Sequence, residues 1–177
     1  MKIVRACVFT AAVWLACSGV GFPEDRAAAQ KAALDSLSGA VSYSIKSPYS
    51  QAIDDVYLGY DKGGKPNMGA ALRKFKTFQV VYALLVIEKQ GEKFVVKNAT
   101  IPDISLINDK EKQDNVMKAA SDFSGKTVKE ASSMVRVDAV SGATPYYKAI
   151  YATFNLMAAK IVEEMEKNPP WEKQALN

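Results

Sequence analysis

Phe78-Gln79-Val80-Val81-Tyr82-Ala83-Leu84-Leu85-Val86-Ile87-Glu88-Lys89 is the stretch on which the fold class turns. In an extended strand, Phe78, Val80, Tyr82, Leu84 and Val86 point to one face. Val81, Ala83, Leu85 and Ile87 point to the other. Both sets are apolar, so this strand is expected to be central and covered on both sides. Gln90-Gly91-Glu92-Lys93 reads as a hairpin turn, and Phe94 to Ile101 as the returning strand.

Working upstream, Asp54-Asp55-Val56-Tyr57-Leu58-Gly59-Tyr60-Asp61 alternates Val56, Leu58 and Tyr60 on one face, the pattern of a half-buried strand. Lys62-Gly63-Gly64-Lys65-Pro66-Asn67 is a turn on its glycine and proline signals. Met68 to Phe75 lies between that turn and the central strand and is expected to be a strand. Val41 to Ser50, rich in serine and holding Pro48, reads as a connector or an edge strand. Arg26 to Ala40 is alanine-rich and helix-favouring, with Gly39 marking its end.

Downstream, Pro102 interrupts the ladder. Leu106 to Phe123 follows as an exposed helix with Asn108 as its cap. Gly125 ends that unit, and Lys126 to Asp138 returns the chain toward a last segment. From Lys148 to Lys167 the apolar residues recur at helical spacing. Ile150, Phe154, Met157, Ile161 and Met165 form one stripe, flanked by Thr153, Ala158 and Val162, over about five turns. Helix, hairpin-linked strands, then helices make an α+β domain: an antiparallel sheet with packed helices.

Composition narrows the chemistry. The chain has 177 residues, 49% of them hydrophobic and 24% charged, enough for a single domain with a real core. The formal net charge is +4, of which Lys2 and Arg5 belong to the first residues, and no basic block stands out. Nucleic acid is therefore not an expected partner. There is no histidine, which removes Ser-His-Asp and Cys-His catalysis and the commonest transition-metal ligand. Both cysteines, Cys7 and Cys17, lie among the first 17 residues. The rest of the chain has neither a disulfide nor a thiolate metal site, and no catalytic or metal-ligating set is expected in it.

Residues 1–17 have the parts of an export signal: Lys2 and Arg5, an apolar run from Val8 to Ala16, and no further charge before Glu24. Leu15-Ala16-Cys17-Ser18 is similar to a bacterial lipobox, so residues 1–17 are either a signal peptide or a lipoprotein leader. In the second case Cys17 carries a lipid anchor and Gly19 to Asp25 begins the tether. The expected location is exported: periplasmic or on the outer face of a membrane. Residues 18–49 form an N-terminal helix and connector, and residues 50–177 the main domain.

Just before the last helix the chain reads Val137-Asp138-Ala139-Val140-Ser141-Gly142-Ala143-Thr144-Pro145-Tyr146-Tyr147. Pro145 suits the first helical position, since its φ is already fixed and its missing N–H would have no partner there. Thr144 is then the N-cap. Backbone N–H groups and the positive helix end would favour a phosphate at this point. Gly142 permits close backbone approach, and Ser141 adds a hydroxyl. A plain helix cap explains Thr144 and Pro145 equally well.

Asp138 to Thr144 resembles the flavinylation motif of FMN-binding domains, such as the C subunit of sodium-pumping NADH:quinone oxidoreductase and the G subunit of the Rnf complex. The resemblance implies that FMN is joined to Thr144 through a phosphoester, installed from FAD by a flavin transferase in the exported compartment. Ser141, Gly142, Ala143, Val140 and Tyr146 would then surround the cofactor. Asp138 would serve recognition by the transferase. Tyr146 and Tyr147 are candidates for stacking on the isoalloxazine, and Gly59, Gly63, Gly64 and Gly69 for close approach. The chain would be an electron carrier or redox subunit, paired with a membrane redox partner, rather than a stand-alone enzyme. Two alternatives stand beside it: FMN held without a covalent bond, and a non-redox binding module in which Thr144 only caps a helix.

Overall fold

The computed structural model describes residues 23–76, 80–134 and 145–176. Six antiparallel strands form one sheet in the order β5-β4-β3-β2-β1-β6. They are β1 (Ser42–Lys46), β2 (Asp55–Tyr60), β3 (Pro66–Lys76), β4 (Val80–Gln90), β5 (Lys93–Thr100) and β6 (Gln174–Ala175). The described helices are α1 (Pro23–Ser36), α2 (Lys110–Ser121), α3 (Val128–Ser133) and α4 (Pro145–Lys167), with a 3-10 turn at Ile104–Leu106. The fold is α+β, and the sheet and its helices make a single domain.

The two faces of β4 separate as the alternation requires. Val81, Ala83, Leu85 and Ile87 join the core under α4, α2 and α3. Tyr82, Leu84 and Val86 join a second core under α1, with Ala29, Ala33 and Leu37. Phe78 lies outside the described residues. β4 is bonded to β3 on one side and β5 on the other, so the strand is covered in every direction. The β4–β5 connection is a two-residue turn with Gly91 at φ 62°, a left-handed value that glycine adopts without a Cβ clash.

β2 departs from the half-buried expectation: all six of its residues are buried. Val56, Leu58 and Tyr60 face the α4 side, while Tyr57 faces the core under α1. The buried Asp55 explains how a polar start to the strand is tolerated. Its carboxylate accepts from the Arg26 guanidinium at 2.7 Å and from Gln30 Nε2 at 3.1 Å, both on α1. α1 is thus pinned to the sheet by its polar edge as well as by its alanines. It starts at Pro23, inside the segment expected to be tether, and ends at Ser36, three residues ahead of Gly39.

α2 is capped by Asp109, not by Asn108. The Asp109 side chain accepts from the Lys112 backbone N–H at 3.2 Å. α3 was not anticipated from the sequence. Its Thr127 and Glu130 form a reciprocal capping box, a signature present in Thr127-Val128-Lys129-Glu130. The segment just before it, through Lys126 and Gly125, bonds to Val96 of β5 and covers that edge of the sheet.

Candidate functional site

α4 begins at Pro145, the residue after the proposed acceptor, and runs for 23 residues. No acidic residue occupies its first turn. Asp138, Val140, Ser141, Gly142, Ala143 and Thr144 lie outside the described residues. Tyr146 and Tyr147 fall on the first turn of α4, and their side chains lie outside the described residues as well.

The helix is held firmly one turn further in. Ile150, Tyr151 and Phe154 are buried. The Phe123 ring lies 5.2 Å from Tyr151 and 5.3 Å from Phe154, centroid to centroid and tilted, an arrangement favoured by aromatic quadrupoles. Tyr151 Oη donates to the Asp122 carboxylate at 2.9 Å. These contacts tie the start of α4 to the end of α2, so the helix N-terminus sits on a packed base.

At its other end α4 lies close against the sheet. Met157, Ala158, Ile161 and Met165 are buried, matching the expected stripe. Tyr49 Oη donates to Glu164 at 2.7 Å. Burial, with that bond and the nearby glutamates, pushes the Tyr49 phenol well above its ordinary value. Lys160 and Lys167 flank Glu163 and hold its carboxyl down at about 2.

The glycines proposed for close approach have other work. A Cβ on Gly69 would fall 2.3 Å from Ile161 Cγ2, and one on Gly59 would fall 2.8 Å from the Ala40 Cβ. Both glycines admit the protein's own side chains. Gly63 and Gly64 belong to the β2–β3 turn, where Gly64 has φ 71° and donates its N–H to the Asp61 carbonyl.

Beside α4 runs a groove of about 620 Å³, between the β4–β5 hairpin, α3 and the middle of α4. Phe94, Val128, Ala159 and Val162 make its apolar floor, with Lys93, Lys129, Asn155 and Ser132 along its rim. Its volume suits a small molecule. Nothing in the sequence pointed to it, because its walls come from three distant segments.

Among the described residues, no helix is long and apolar enough to cross a membrane, and no group of three or more Cys, Asp or Glu side chains is placed to hold a metal. No family model, curated protein or solved structure matches the chain.

Proposed function

We propose that this protein is an extracytoplasmic electron-transfer domain carrying FMN on Thr144 through a phosphoester. The observation that carries the proposal is the start of α4 at Pro145, directly after the Asp138–Thr144 motif, with no acid in the first turn. A phosphodiester on the capping hydroxyl, with its single negative charge, would meet unpaired backbone N–H groups and the positive end of a 23-residue helix. Nothing in that turn would repel it. The aromatic base under Ile150, Tyr151 and Phe154 keeps those donors in place, so little ordering remains to be done when the group is attached.

FMN, when bound, supplies one- and two-electron redox chemistry. The chain contributes attachment at Thr144, donors from the first turn of α4, and backbone freedom at Gly142. Asp138 repels the phosphate and so acts outside its binding, in recognition by the flavin transferase. A covalent bond suits an exported protein, since a flavin that dissociated there would be lost. Electrons would enter from a membrane partner and leave to a reductase or second carrier.

The test is expression of the full chain with and without a flavin transferase. Yellow colour that survives denaturation, with an intact mass raised by one FMN phosphoester, is the expected result. A colourless protein under co-expression overturns the proposal. A protein that is yellow only when native, at unmodified mass, binds the flavin without the bond.

A further inference from the structure

We draw no further inference here: the strongest candidate, the groove of about 620 Å³ between the β4–β5 hairpin, α3 and the middle of α4, sets Lys93 and Lys129 against Glu92 and Glu130 on its walls, so its charge selects no partner, and nothing in the structure shows what covers it.

Discussion

Gly69 of β3 lies directly under Ile161 of α4, so close that a single added Cβ would stand 2.3 Å from Ile161 Cγ2 and 3.0 Å from Met165 Sδ. Helix and sheet meet at backbone distance here, and the missing side chain makes that approach possible. Gly69→Ala should therefore destabilise the protein by roughly 1–3 kcal/mol, the usual cost of overpacking a filled core. Urea unfolding measures it. A cost near zero would mean that α4 shifts freely over β3.

Arg26 and Asp55 form the polar pin of α1. Asp55 is fully buried, while the Arg26 side chain keeps 41% of its exposure. Removing Arg26 leaves a buried carboxylate with Gln30 as a remaining donor. Arg26→Ala should cost roughly 2–3 kcal/mol, short of the 3–5 kcal/mol of a wholly buried pair, since water screens the open side. Asp55→Asn with Arg26 retained should cost less. Denaturant midpoints of the two variants give the comparison.

Thr127 caps α3 through its hydroxyl while Glu130 returns two bonds to it. Thr127→Ala should lose about 1 kcal/mol, and Thr127→Ser most of nothing. Equal losses for both variants would place the effect in the methyl group and not in the cap.

Acid should weaken the fold through a defined set of carboxylates. Glu163 is held down at about 2 in the folded chain by Lys160 and Lys167. Glu130 and Asp109 are also lowered, by Thr127 and by Lys112. A carboxyl depressed on folding stabilises the native state fully above its unfolded pKa. That stabilisation is lost as pH falls from about 4.5 toward 2. Thermal midpoints should decline over that window, and Glu163→Gln should flatten part of the decline. At the other end, Tyr49 and Tyr57 are raised above 10.0, so stability should fall as pH climbs past that value. Absorbance at alkaline pH follows both phenols.

Thr144→Val should remove covalent flavin entirely while leaving the fold intact, at about 1 kcal/mol for the lost cap. The readout is in-gel flavin fluorescence beside the unfolding midpoint. Fluorescence persisting in the variant would assign the bond to another hydroxyl, with Ser141 the next to replace.

Local periodicity carried much of the architecture. The alternation through Val81 to Ile87 placed each side chain of β4 on its observed face, and the 3.6-residue recurrence through Ile150 to Met165 defined the buried stripe of α4. Such patterns are readable because the residues that set them are neighbours along one element. Of the candidate site, Asp138 to Thr144 is a continuous run readable in the sequence that lies outside the described residues, and the start of α4 at Pro145 is where a proline at the first helical position was expected.

Where burial depends on a distant segment, the chain alone left the answer open. β2 reads as half-buried because nothing near it announces that Arg26 and Gln30 will satisfy Asp55 and that α1 will cover Tyr57. Asn108 and Asp109 are both good caps; only the path from the Ile104–Leu106 turn puts Asp109 at the helix start. Gly69 has the same appearance as a turn glycine until α4 is laid across it. The sequence by itself therefore determined β2 to β5, α1, α2 and α4 as elements, the faces of β4 and α4, and the motif ahead of α4, since those follow from neighbouring residues. Tertiary structure decided which faces are doubly covered, what each glycine admits and how the C-terminal arm closes the β1 edge. Each of those depends on a partner tens of residues away, and only folding brings it within reach.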